Sequence, residues 1–288
     1  MNGLLDQIDF PRWSASTFPA LLGTILPFWL YPDRFSFNWL GATEFMVATI
    51  LVHAGFSILL KTANRDRFRS RNLMMGIGSL LLACLIGLHL NSMIPTKDHV
   101  PDYIFIVFGI SAILTGILFI VPPISLHKRP GREVLLAEGL GFLPVLGAFL
   151  VQVGDLHRTV YLAAFTPIAL TWLWVWVIEL DSYWFDDNVT SNKTLVHLIG
   201  ISKSTRVITP ILCILPFVMI TGAVITKSLP PFSLFVILLA WPAIKLAHAY
   251  YKEEIDQRIS KKSIRQAAFH HGAICSVLLL SISISYLL

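Results

Sequence analysis

Nine apolar stretches, at about 16–32, 38–60, 72–94, 102–125, 133–153, 159–178, 207–226, 231–251 and 266–287, take up most of this chain. Each approaches or exceeds the roughly 20 residues that a helix needs to cross a hydrocarbon core. Backbone groups in lipid must satisfy one another, so such stretches are read as helices. The fold expected is therefore an all-α integral membrane protein, a single bundle of nine transmembrane helices over residues 1–288. No linker or low-complexity tract marks a second domain. Composition agrees: 55% of residues are hydrophobic and 14% are charged, against roughly 25% charged in a soluble domain. The first stretch carries Pro19 and Pro27. The fifth carries Gly139, Gly141, Gly147 and Pro144, which predicts close helix packing and a bend.

Lys and Arg set the orientation. Lys61, Arg65, Arg67, Arg69 and Arg71 follow the second span, Lys128, Arg129 and Arg132 the fourth, Lys193, Lys203 and Arg206 the sixth, and Lys252, Arg258, Lys261, Lys262 and Arg265 the eighth. The alternate connections hold only Arg34, Lys97, Arg158 and Lys227. The positive-inside rule puts the N-terminus and the basic loops in the cytoplasm, in the inner membrane if the source is bacterial. Net charge is +5, but the basic residues lie in these loops, where anionic headgroups attract them, and do not argue for nucleic acid. The N-terminal MNGLLDQIDFPRW lacks the basic region and cleavage pattern of a leader. Cys84, Cys213 and Cys275 all fall in apolar runs, which reads as packed thiols.

Two polar cytoplasmic loops, about 61–71 and 179–206, stand out. In the second, Glu179, Asp181, Asp186 and Asp187 fall within nine positions just after an apolar run. Acidic groups there need water, a metal or a cation. The first loop places five cations beside Asn64 and Asp66, either as a topology signal or as a cradle for phosphate or carboxylate. Glu44 and His53 lie on one span, nine residues apart and on opposite faces, so they do not form one site. Lys245 and His248 read as snorkelling side chains, and His270 and His271 lack metal spacing. Trp172, Trp174, Trp176, Tyr183 and Trp184 suit either an interfacial belt or a pocket for an aromatic or isoprenoid ligand. A small-solute transporter ranks last, because no pair of broken helices recurs in matching halves.

The layout, with polar loops after the second and sixth spans, resembles the UbiA superfamily of intramembrane prenyltransferases, nearest to the dihydroxynaphthoate polyprenyltransferases of menaquinone synthesis. Ser16–Trp29 (STFPALLGTILPFW) is similar to the family's first helix. Gly139–Gln152 (GLGFLPVLGAFLVQ) is similar to its fifth, with Phe142 in place of the glutamate of G-x-G-E. Lys193-Thr194-Leu195 with Gly200 is similar to the R-T-L-x-x-x-x-G that follows the second aspartate motif. The departures fall on the aspartates. His53-Ala54-Gly55-Phe56 keeps the lead-in to the first motif, with Ser57 for asparagine, but Leu60, Lys61 and Arg65 then stand where asparagine and two aspartates are expected. Tyr183 and Asp187 stand on the second motif.

The resemblance implies transfer of an isoprenoid chain from a prenyl diphosphate to an aromatic quinone precursor. It implies Mg²⁺ on carboxylates, here Asp187, Asp186 and Asp66. Asp187, Asp181 and Asp186 would serve catalysis, while Lys61, Asn64, Arg65, Asp66, His53, Tyr183 and Lys193 would bind substrate. Lys61 and Arg65 invert the charge of half that site and argue against the metal. Two readings stay open: a divergent prenyltransferase, or an inactive homologue that binds a lipid, quinone or pigment or serves as a subunit of a membrane complex.

Overall fold

A computed structural model of the chain describes residues 13–33, 36–63, 70–94, 101, 103–121, 124–185, 194–251 and 257–288. The described residues are helical almost throughout. The elements are α1 (Ser14–Leu30), α2 (Trp39–Ala63), α3 (Ser70–Met93), α4 (Ile104–Ile120), α5 (Arg132–Val153), α6 (Arg158–Phe185), the short α7 (Leu195–Ile199), α8 (Ile201–Ile225), α9 (Pro231–Tyr251) and α10 (Gln257–Leu287). Seven of them, α2, α3, α5, α6, α8, α9 and α10, have the length and apolarity to cross a membrane. The chain is a multi-pass integral membrane protein. The expected first and fourth spans are the 17-residue helices α1 and α4. At 1.5 Å per residue these cover about 25 Å, short of a core of about 30 Å.

α1 lies inside the bundle, against α2, α5, α6 and α10. Its Leu22 and Leu26 are fully buried with Val145, Leu146 and Phe149 of α5, Val160 of α6 and Ile274 and Leu278 of α10. Close approach of α1 to α5 depends on Gly23, where a Cβ would sit 2.2 Å from the Val145 carbonyl oxygen. On α5, Gly141 abuts the Pro167 backbone and Gly147 the Phe45 ring, both at 2.8 Å from a built Cβ, whereas Gly139 has nothing within 4 Å. Close packing thus holds at two of the three α5 glycines. The expected irregularity is a π turn over Glu138–Phe142. At one end of the bundle Gln152 clasps Asn38, accepting from its N–H at 3.1 Å and donating to its carbonyl at 3.0 Å.

Of the α6 tryptophans, Trp174 and Trp176 lie in the bundle core and Trp172 and Trp184 are half-buried. Trp174 and Trp176 are buried against Leu212 of α8, Leu246 of α9 and Ala267 of α10, and Trp176 Nε1 donates to Thr209 Oγ1 at 3.0 Å. A buried indole N–H usually finds such a partner, and for Trp176 the threonine hydroxyl supplies it. Glu44 meets His89 of α3 at 3.0 Å, Lys245 Nζ lies 5.1 Å from the Trp241 ring, and the three cysteines are free. Gly23→Ala should lower the thermal midpoint of the purified protein in detergent, at a cost of about 1–3 kcal/mol, because two backbones must part to admit a methyl group.

Candidate functional site

The acidic stretch that the sequence singles out is helical as far as Phe185, so Glu179, Asp181 and Tyr183 lie on the last turns of α6. Lys61 likewise lies within the last turn of α2. Asn64, Arg65, Asp66, Asp186, Asp187 and Lys193 lie outside the described residues. His53 is buried two turns before Lys61, with Nδ1 3.1 Å from Ser16 Oγ of α1. The structure thus gives His53 a partner in the bundle interior.

What gathers at this end of the bundle is a set of groups from the connection between α4 and α5, which sequence reasoning passed over. Gly131 takes φ +92°, a left-handed conformation open to glycine, and starts α5. Arg132 follows. Its guanidinium donates to the Glu179 carboxylate and to the His127 carbonyl oxygen, with 15% of the Arg132 side chain exposed and 4% of that of Glu179. Glu133, fully buried, accepts from Gly131 N and from Leu195 N, each at 3.1 Å. One residue pair therefore reaches the chain on both sides of 186–193: Arg132 holds the end of α6, and Glu133 holds the start of α7.

The start of α7 is closed by a capping box. Thr194 is the N-cap, and His197 Nδ1 lies 2.8 Å from Thr194 Oγ1 and 3.4 Å from Thr194 N. The His197 ring stands 4.8 Å from that of Tyr183. His127 donates through Nδ1 to the Phe119 carbonyl at 2.7 Å. His127 Nε2, His197 Nε2 and Arg132 Nε are buried without a hydrogen-bond partner among the described residues. Burial lowers the His127 pKa below 6.5, helped by Lys128 and Arg132 and opposed by the bond to Phe119. Burial also lowers that of His197, helped by Arg132 and opposed by Glu133.

The signal for this cluster was present in Pro130-Gly131-Arg132-Glu133: a turn pair, then an acid in the first turn of a helix. Its partners Glu179 and Leu195 lie more than forty residues away, and no local pattern announces them. The described residues do not themselves form a magnesium site. Among them no group of three His, Cys, Asp or Glu side chains is placed to hold a metal ion. The oxygens of Glu133 are occupied by backbone N–H groups, and Glu179 meets Arg132.

The decisive comparison is with solved structures. A UbiA homologue from Archaeoglobus fulgidus, solved with Cd²⁺, superposes with a TM-score of 0.63 at 12% identity, over 97% of this chain and 99% of the other. The fold is that of the UbiA homologues. A digeranylgeranylglyceryl phosphate synthase matches with a TM-score of 0.63 at 13% identity, over 98% and 97% of the two chains. The Archaeoglobus homologue has also been solved with geranyl diphosphate and Mg²⁺, and that structure matches with a TM-score of 0.57 at 12% identity, over 96% of this chain and 99% of the other. No family model and no curated protein matches the sequence.

Two outcomes are expected from this geometry. Arg132→Met or Glu179→Leu alone should destabilise the protein by about 3–5 kcal/mol in chemical or thermal unfolding, since each leaves a buried charge unpaired, while the double variant should recover much of the loss. His127 and His197 take up protons more readily unfolded than folded, so stability should fall as pH drops below 6.5. The decline in thermal midpoint between pH 7.5 and 5.5 should be shallower in His127→Asn.

Proposed function

We propose that this protein is a UbiA-like prenyltransferase that transfers an isoprenoid chain from a prenyl diphosphate to an aromatic quinone precursor, nearest to the dihydroxynaphthoate branch. The observation that carries the proposal is the end-to-end fold match to homologues, one of which was solved with prenyl diphosphates and Mg²⁺. The prenyl tail lies among the helices. The diphosphate lies at the bundle end where α2 and α6 terminate, facing the cytoplasm with the N-terminus. Lys61, Asn64, Arg65 and Lys193 bind its oxygens. Asp66, Asp181, Asp186 and Asp187 are the carboxylates available to a metal, which would neutralise the leaving group. Cleavage of the allylic C–O bond releases diphosphate and leaves an allylic carbocation. A ring carbon of the acceptor bonds to it and then loses its proton.

Arg132 and Glu133 act here as positioning residues. By holding Glu179 and Leu195 they fix the chain on both sides of 186–193, which contains Asp186, Asp187 and Lys193. A second reading, a non-catalytic relative that binds an isoprenoid, quinone, pigment or lipid, alone or within a membrane complex, draws support from Tyr183. This residue stands on the second aspartate motif, and its ring packs against His197.

One experiment separates the readings. Purified protein is given radiolabelled geranyl diphosphate, with Mg²⁺ or with EDTA, and a dihydroxynaphthoate acceptor. Saturable binding with diphosphate release and a prenylated product is the expected outcome. Binding without release favours the second reading, and no binding in either buffer rejects both for this donor. Lys61→Ala should weaken donor binding about tenfold, the effect of removing one charge-assisted contact to phosphate.

A further inference from the structure

Lys245 lies on α9 inside the apolar span Pro231–Tyr251, six residues and about 9 Å before the helix ends. It is exposed on the outside of the bundle. A charge at such a depth is costly on a lipid-facing surface, and ordinarily turns to the bundle interior or to a water-filled cavity. The snorkelling expected from the sequence does not relieve it. Helical side chains lean toward the N-terminal end of their helix, and for Lys245 that direction is deeper into the membrane. Its Nζ accordingly stands 5.1 Å from the ring centroid of Trp241, one turn deeper, and Trp241 is itself 62% exposed. The ring attracts the ammonium and holds it there.

The seam between α9 and α10 brings further cations to the same height. Gln266 Nε2 of α10 donates to the Pro242 carbonyl oxygen of α9 at 2.7 Å, which sets the register of the two helices. Only 252–256 separates them in sequence, so the packed helices run antiparallel. Toward their joined ends, Lys245 lies about 4.5 Å from that contact, Lys262 about 6 Å and Arg265 about 1.5 Å. On α10 the exposed Lys262, Arg265 and Phe269 share the flank beside Gln266, while the buried Ser263, Ala267 and His270 take the opposite flank. On α9 the exposed Trp241 and Lys245 stand to one side of Pro242, and the buried Ala243, Leu246 and Tyr250 to the other. Lys245, Lys262 and Arg265 therefore line the lipid-facing rim of one seam, and Trp241 and Phe269 line it on the deeper side of the contact. Neither helix contains an Asp or Glu, and no ion pair engages these cations among the described residues. Glu253, Glu254 and Asp256 belong to the connection and lie outside the described residues.

We propose that the seam between α9 and α10 binds an anionic phospholipid, its phosphate among Lys245, Lys262 and Arg265 and its acyl chains over Trp241 and Phe269. Charge selects the class. Three cations on two helices without a carboxylate favour a net negative headgroup over a zwitterionic one, whose ammonium they repel. Vertical order selects a lipid over a soluble anion, because the exposed aromatic surface begins on the membrane side of the cations, where acyl chains continue from a phosphate. Lys262 and Arg265 alone are the basic end of one span. Lys245 comes from the other helix, so a phosphate among the three bridges α9 to α10. The site shares no residue with the donor site at the ends of α2 and α6 and does not rest on the function proposed above.

The test uses the full-length protein reconstituted in phosphatidylcholine vesicles, with brominated phosphatidylglycerol as probe. Bromine quenches a tryptophan that it touches, and the Trp241 signal is the difference between wild type and Trp241→Phe. Brominated phosphatidylglycerol should quench Trp241 with an apparent affinity at least about tenfold above that of brominated phosphatidylcholine, since each Lys or Arg near an anionic headgroup contributes about fivefold. Lys245→Gln should lower that preference about fivefold, and Lys245→Gln with Lys262→Gln and Arg265→Gln should abolish it. Lys227→Gln, at the opposite end of α9, should leave it unchanged. On wild type, raising NaCl from about 0.1 to about 0.5 M should weaken the preference. Equal quenching by the two lipids, a preference insensitive to salt or to Lys245→Gln, or an equal loss in Lys227→Gln overturns the proposal. Release of the brominated lipid by geranyl diphosphate or inorganic phosphate at a lower concentration than by unbrominated phosphatidylglycerol also overturns it, by making the seam a site for another anion.

Discussion

The pairing of Arg132 with Glu179 fixes the charged end of this bundle. A guanidinium and a carboxylate taken out of water cost several kcal/mol each, and their mutual attraction offsets that cost only when the geometry is good. Here the geometry is set by two helices, since Arg132 begins α5 and Glu179 lies near the end of α6. The same guanidinium also takes the His127 carbonyl oxygen, which draws in the connection from α4. Glu133, one residue on, extends the lock to Leu195. Neighbouring residues at a helix start point to different sides, so consecutive Arg and Glu can hold two separate chain segments. Tyr183, His197 and the capping box at Thr194 then pack over that frame.

The rest of the bundle depends on small residues more than on polar ones. In lipid, helix association gains little from burying apolar surface and relies on close packing. Gly23 lets α1 meet α5, and Gly141 lets α5 meet α6. The interruption of α5 at Glu138–Phe142 contains the Gly141 contact and ends just before the one at Val145. That local change of pitch allows one helix to be buried on both sides over Val145–Val151 while showing Glu138 to a cleft beside Ser111 and Thr115 of α4.

The metal question follows from the same arrangement. The two fully or almost fully buried carboxylates at this end, Glu133 and Glu179, are committed to backbone amides and to a guanidinium. They act as struts. In the proposed function a divalent cation would draw on Asp181, Asp66, Asp186 and Asp187, the last three outside the described residues.

Nine apolar stretches were legible because lipid demands continuous apolar runs, and seven are helices long enough to span. The glycines of the fifth stretch announced close packing and a break, which Gly141, Gly147 and the π turn show. Period and length said little about where α6 ends, because Glu179–Phe185 is polar yet helical, held by Arg132 from another element. The burial of Trp174 and Trp176 also came from tertiary packing, since a tryptophan at the end of a span suits a headgroup region equally well. Sequence by itself determined membrane residence, helix content and the UbiA-like layout, all of which follow from local apolarity and order along the chain. Only the tertiary structure decided that Arg132 and Glu133 organise the charged end and that Glu138 shares a cleft with Ser111 and Thr115, because those partnerships join residues more than twenty positions apart.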